Sequence, residues 1–180
     1  MTKKTKTSPK KAAEEAQKAV EQKEKIQREL LDSRVISSKF GNIVTVLMQS
    51  KQHEHMVLSD LQKHAVPPLL KNQYRLAEAG KEGTGHRVPV GLLTWARVSD
   101  DVHNRLSENP DKAIVLEPDE WDSGENYWIV DAIGNDRFLS PLLTSLRTEE
   151  LKGREVFYRI KTENGFDIKS FQEKEGGDKK

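Results

Sequence analysis

The chain contains no cysteine. That excludes a disulfide framework, a thiol nucleophile and a cysteine-ligated metal, and it fits a reducing compartment. No apolar run approaches the roughly 18 residues of a membrane span, so none is expected. The lysines near the N-terminus have no apolar segment behind them, which argues against a secretory signal and makes a cytoplasmic location the expectation. Aromatic residues are scarce at 6%, and hydrophobic residues reach only 34% against 33% charged. This shortage is concentrated at the ends. Residues 1–34 hold ten Lys/Arg and six Asp/Glu, the last nine residues are neutral, and 35–171 carries a net charge of −3. The 180 residues allow one domain with a real core and appendages at both ends.

Residues 1–11, rich in Lys, Thr and Ser, read as a disordered basic tail. Residues 12–32 are strong helix formers, with acid-before-base pairs at Glu14/Lys18, Glu21/Lys25 and Glu24/Arg28. Ala16, Val20, Ile26 and Leu30 give this helix only a thin apolar stripe. Together 1–34 form a charged helical extension, 35–171 the domain, and 172–180 a disordered polar tail. Basic residues in the extension are interleaved with acids and aromatics are absent there, which argues against nucleic-acid binding.

Ile36, Phe40, Ile43 and Leu47 recur at spacings of four, three and four, which makes one face of an amphipathic helix. Gly41 inside it costs about 1 kcal/mol against Ala, tolerable if a neighbour packs close. A short helical segment around Met56, Leu58 and Leu61 is ended by Pro67-Pro68. Gln73–Ala77 and Val88–Ala96 read as a hairpin with a flexible tip. Ser99 caps a helix with Asp100 and Asp101 in its first turn. Ala113–Leu116 reads as a short extended piece. Trp128, Ile129 and Val130 form a buried strand that Asp131 closes. Phe138–Leu146 reads as a helix with Pro141 in its first turn. Val156–Ile160 and Phe166–Phe171 are two strands joined by a turn at Glu163–Gly165. The order α, α, β, β, α, β, α, β, β makes a mixed α/β (α+β) domain around one sheet.

Asp131 is the first candidate functional residue, because a carboxylate at the end of an apolar strand must be solvated, paired or catalytic. His53 is the second. Its polar neighbours set it at the surface, and neutral imidazole is the commonest general base near pH 7. Taken alone, an ordinary surface histidine is the plainer reading. His55, His64, His86 and His103 have no better claim. The His53/His55 spacing lacks a third ligand, so no metal site is expected. Ser50 reads by itself as a helix-terminal serine, and Trp95, Trp121 and Trp128 read as core.

Several segments in order resemble the toxin-activating lysine acyltransferases of the hemolysin-activating type. A Gly41-initiated apolar helix runs into Ser50-Lys51-Gln52-His53. Val66-Pro67 and then Asn72-Gln73-Tyr74 follow, and later Pro89-Val90 through Thr94-Trp95-Ala96. The most specific stretch is Trp121-x-Ser123-Gly124-x-x-x-Trp128-x-x-Asp131-x-Ile133. The likeness covers roughly residues 40–135. Ala132 stands where the family has Trp, and Gly134-Asn135-Asp136 is shorter than the family's turn.

The resemblance implies a GNAT-like fold, mostly antiparallel, flanked by helices and often dimeric. It implies transfer of a fatty acyl group from acyl carrier protein to internal lysines of an RTX-type protoxin, with no bound cofactor. By position, His53 and Asp131 match the family's catalytic pair, with Ser50 a serine implicated beside them. The chemistry is consistent. A lysine ammonium, with a pKa near 10.4, is no nucleophile until deprotonated. His53 can take that proton while Asp131 orients the ring and stabilises the imidazolium. An acyl-imidazole route through His53 is equally open. Gly80-Lys81-Glu82-Gly83-Thr84-Gly85 lies between two strands, and Asp136 puts an acid where a CoA pyrophosphate would sit, which favours the carrier protein, with Lys51 near its docking site. The alternative reading is a non-catalytic GNAT-like adaptor for a secreted toxin.

Overall fold

The computed structural model describes residues 9–80, 83, 85–163 and 165–172. The tails expected at 1–8 and 173–180 lie outside the described residues. The chain divides into two compact units, 1–38 and 39–180.

The first helix, α1, runs unbroken over Pro9–Met48. Sequence patterning separates a helix at 12–32 from one beginning near 36, but no Gly or Pro interrupts 32–35 and one helix results. Residues 9–11, assigned by composition to the tail, form its first turn, with Pro9 at the position that tolerates a missing N–H. In the first unit Ile26, Leu30, Leu31, Val35 and Ile36 are all about half exposed.

In the second unit the end of α1 packs Ile43, Val46 and Leu47 with Ala65, Tyr74 and Leu92. Two 3-10 turns, Lys51–His53 and Leu58–Asp60, lead into α2 (Leu61–His64) and α3 (Val66–Leu70). Pro67 and Pro68 open α3 where sequence reading has them ending a helix; near the N-terminus their missing N–H groups cost nothing. Asn72, at φ 55°, turns the chain out of α3 into β1. A short polar side chain tolerates that left-handed conformation.

Strands β1 (Tyr74–Gly80), β2 (Arg87–Val98), β3 (Asn126–Ile133), β4 (Glu155–Thr162) and β5 (Gly165–Gln172) form one sheet in the order β1-β2-β3-β4-β5. All neighbours are antiparallel except β3 and β4. This is the mixed α/β domain around one sheet that the element order implies, and it is mostly antiparallel, as the family resemblance implies. One face carries Leu93, Trp95, Ile129 and Val156 under Leu142, Leu143, Leu146 and Leu151, from α5 (Asp136–Ser145) and the π turn after it. The other carries Ala96, Val98 and Trp128 against Val102 and Leu106 of α4 (Asp100–Glu108) and Trp121. Pro141 lies in the second turn of α5, since the helix starts at Asp136, earlier than expected. Residues 113–116 join no ladder, although Leu116 is buried.

The Trp121–Gly124 stretch has a structural logic of its own. Trp121 Nε1 donates to the Lys63 carbonyl at 2.9 Å. The Ser123 hydroxyl accepts from the Ser99 N–H at 2.9 Å. A Cβ on Gly124 would lie 2.5 Å from the Val98 carbonyl oxygen, so only glycine fits. No helix among the described residues is long and apolar enough to cross a membrane.

Gly41 has no comparable reason. Its Cβ position meets nothing within 4 Å, so close packing does not explain it. Gly41→Ala should therefore stabilise the protein by about 0.5–1 kcal/mol, through helix propensity and a less mobile unfolded chain. Thermal melting checks this, and a lowered melting temperature would show that Gly41 serves a contact.

Candidate active site

The site starts at the exit of α1. Ser50 is extended (φ −93°, ψ 123°), and its carbonyl accepts from the His53 N–H at 3.0 Å. In a 3-10 turn the side chains at i and i+3 eclipse, so the Ser-x-x-His spacing stacks Ser50 and His53 on one side. His53 Nδ1 lies 3.0 Å from Ser50 Oγ. The turn also carries His53 inward. Its polar neighbours suggest exposure, yet its side chain is only 10% exposed.

Asp131 arrives from the sheet. β3 continues two residues past it to Ile133, so the carboxylate lies within the strand and does not end it. The β2–β3 register pairs Thr94 with Asp131 but Trp95 with Ile129, leaving Val130 as an extra residue. Strict alternation would send Asp131 to the face of Ile129, beneath Leu142 and Leu143. The bulge re-aims it to the face of Thr94 and His53. Asp131 Oδ1 then lies 3.1 Å from His53 Nε2, and Oδ2 accepts from the Thr94 hydroxyl at 3.1 Å. Thr94 Oγ1 in turn accepts the Asp131 N–H at 3.0 Å.

Ser50, His53, Asp131 and Thr94 thus form one hydrogen-bonded array. A carboxylate only accepts, so Nε2 of neutral His53 carries the proton and Nδ1 presents its lone pair to the Ser50 hydroxyl. The array can remove a proton at Nδ1 and hold the resulting imidazolium against Asp131.

His53 and Asp131 of this array stand on the wall of a cavity of about 870 Å³. Past Trp128 and Phe157 the parallel strands β3 and β4 no longer pair. The cavity lies against Ile129–Ala132 of β3 and Tyr158 and Arg159 of β4. Met56, Ile114, Val115 and Phe166 are among its apolar walls. Arg159 donates to the carbonyl of Leu106 at 2.9 Å and to that of Lys112, fastening the neighbouring loop to β4. Burial pulls its guanidinium pKa down.

Residues 34–174 match the model of the RTX toxin acyltransferase family. The chain belongs to that family. An uncharacterized protein of Synechocystis is 30% identical over 90 residues, 50% of this chain and 56% of that protein. A leukotoxin-activating lysine-acyltransferase of a Pasteurella haemolytica-like strain is 28% identical over 91 residues, 51% of this chain and 50% of the relative. A protein-lysine myristoyltransferase of Kingella kingae is 25% identical over 96 residues, 53% and 52%. The chain spans about half the length of these relatives.

Within this domain the other histidines separate. His55 is 94% exposed beside Glu54. His103 accepts from Trp128 Nε1 at 3.1 Å and packs against Phe157. No group of three or more His, Asp or Glu able to hold a metal ion occurs among the described residues. His64, by contrast, lines the cavity with its ring centroid 6.4 Å from that of His53. A signal for it exists in the sequence: Leu61, His64, Ala65 and Pro68 recur at helical spacing, and the last two are buried. Thr94 is the other residue that sequence reading passes over. A fully buried hydroxyl in an apolar strand must have a partner.

Thr94→Val keeps the shape but removes both hydrogen bonds to Asp131. It should destabilise the protein by about 1–3 kcal/mol, the cost of leaving a buried N–H and a carboxylate oxygen short of partners, while Thr94→Ser recovers most of it. Denaturant unfolding of the two variants measures the difference. His64 makes a second, pH-dependent contribution. Burial pushes its pKa below the ordinary 6.5, outweighing the opposing attraction of Asp131. The unfolded chain therefore binds the proton first, and this part of the stability is complete above about pH 6.5 and declines as pH falls below it. His64→Gln should flatten melting temperature against pH in that window, and an unchanged slope would exclude His64 as the source.

Proposed function

We propose that the protein is a protein-lysine fatty acyltransferase that moves an acyl chain from acyl carrier protein to internal lysines of an RTX-type protoxin. His53 is the general base, Asp131 orients and stabilises its ring, and Ser50 hydrogen-bonds the reacting nitrogen. The observation that carries this reading is the Ser50–His53–Asp131 array, placed against a largely apolar cavity. Membership of the RTX toxin acyltransferase family supports it. So do relatives named as lysine acyltransferases.

The cavity is of a size that encloses small ligands. A fatty chain gains about 0.8 kcal/mol per buried methylene, so ten methylenes contribute on the order of 8 kcal/mol toward holding the thioester beside His53. The facing backbones of β3 and β4, free of each other past Trp128 and Phe157, offer N–H and C=O groups to the amides of a phosphopantetheine arm. The donor is a carrier protein. α5 follows β3 at the place where a CoA-binding loop would hold pyrophosphate, and Asp136 in its first turn repels that charge. Lys51, exposed beside His53, suits an acidic carrier surface.

Acyl-carrier protein and acyl-CoA, supplied separately at equal concentration with a protoxin fragment, test this reading by intact mass. Lysine acylation should be faster from the carrier. His53→Ala should reduce it by about 100- to 10,000-fold. His53 is part-buried, so the fold of the variant is checked by melting, with His53→Gln as a second variant. Near-full acylation by folded His53→Ala would place the base elsewhere, and faster acylation from acyl-CoA would refute the choice of donor.

A further inference from the structure

The cavity holds a second imidazole that the Ser50–His53–Asp131 array does not use. His64 ends α2, and Trp121 fixes the backbone beside it by bonding the Lys63 carbonyl. The next residue, Ala65, is fully buried. The rings of His64 and His53 meet edge to face at 78°. Nδ1 of His64 is buried and has no hydrogen-bond partner. That nitrogen is closed to solvent, so it is the rest of the residue that meets the cavity. Asp131 and Asp60 favour protonation of this ring, but burial, joined by His53 and Lys63, outweighs them and holds its pKa below the ordinary 6.5.

Both nitrogens of His53 are committed, Nε2 to Asp131 and Nδ1 to Ser50. Transfer to lysine needs more than one proton movement. A thioester and a lysine ammonium give an amide, a thiol and one free proton. The C–S bond breaks, the C–N bond forms, and the nitrogen loses two protons. One must leave before the nitrogen has a lone pair to attack with. The other leaves as the tetrahedral centre collapses, and the departing sulfur gains one.

We infer that His64 is a second catalytic group of this transfer: it takes the first proton from the acceptor ammonium, and the His53 array handles the second. The inference rests on the acyltransferase reading. An imidazole in the cavity wall beside His53, kept neutral by burial, is the form this step requires. His64 returns its proton to solvent before the next turnover.

The test uses the full chain with acyl-carrier protein and a protoxin fragment. His64→Gln keeps a polar side chain but cannot titrate. It should lower kcat by about 10- to 100-fold with KM for the carrier within about twofold. The loss should shrink as pH rises and the lysine deprotonates unaided. His64→Asn, at matched melting temperature, guards against a folding defect. A wild-type rate and pH profile in His64→Gln would overturn the role, as would an equal loss at every pH, which marks a structural part only. If the wild type transfers no acyl group from either donor, the acyltransferase reading itself fails, and this role with it. Wild-type transfer with an unaffected His64→Gln removes this role alone.

Discussion

The direction of one carboxylate governs the site. Trp128, Ile129 and Val130 alternate between the two faces of the sheet, and the next position in strict alternation would lie under α5 among leucines. A carboxylate there would be neutralised or would unfold its surroundings. The extra residue at Val130 turns Asp131 to the opposite face, where Thr94 and His53 wait. Thr94 holds the bulge from both sides, accepting the Asp131 N–H and donating to its carboxylate. The irregularity that the fold must accommodate is therefore the one that builds the site.

A second irregularity lies next to the first. β3 and β4 pair through Tyr127–Val156 and Trp128–Phe157 and then separate. Asp131 comes three residues after the separation, so its strand leaves the ladder and lines the cavity in the same step. The parallel pair is anchored from below by Val156, Leu146 and Leu151, all buried in one cluster. Arg159 and the loop it fastens stand on the far wall. The strands supply one side of the cavity, and the turns at 52–60 and the segment 110–115 supply much of the rest.

Much of this was legible beforehand, for identifiable reasons. Alternating and helical apolar patterns located all five strands and the helices α4 and α5, because burial imposes those periods. The Ser-x-x-His spacing also carried information, since a single 3-10 turn makes it a contact. What sequence could not show was burial that depends on the third dimension. His53 has Lys51, Gln52 and Glu54 around it, which is surface chemistry, yet the turn rotates it inward. Asp131 looked like the end of a strand because a bulge leaves no trace in hydrophobic order. The change in composition near residue 33 suggests a helix break, but the backbone continues wherever no residue stops it. His64 escapes notice in the sequence because its spacing with Leu61, Ala65 and Pro68 belongs to helices of only four and five residues.

The low exposure of the pair has a chemical consequence under the acyltransferase reading. A base that can activate an amine can also activate water, and a thioester beside it would be hydrolysed. His53 and Asp131 are each about 10% exposed in the free chain, before any acyl group occupies the cavity. An acyl chain lying along Met56, Ile114 and Val115 would displace much of the remaining water. The Ser50 hydroxyl meanwhile occupies the lone pair of Nδ1, so that an arriving lysine must displace or share that hydrogen bond. Water competes poorly for such a position once the cavity is filled, because it brings no binding energy of its own from elsewhere on a substrate. A lysine held in a protein segment does. Selectivity for aminolysis over hydrolysis then follows from the order of events: the chain enters, water leaves, and the base meets only an acceptor that docking has delivered.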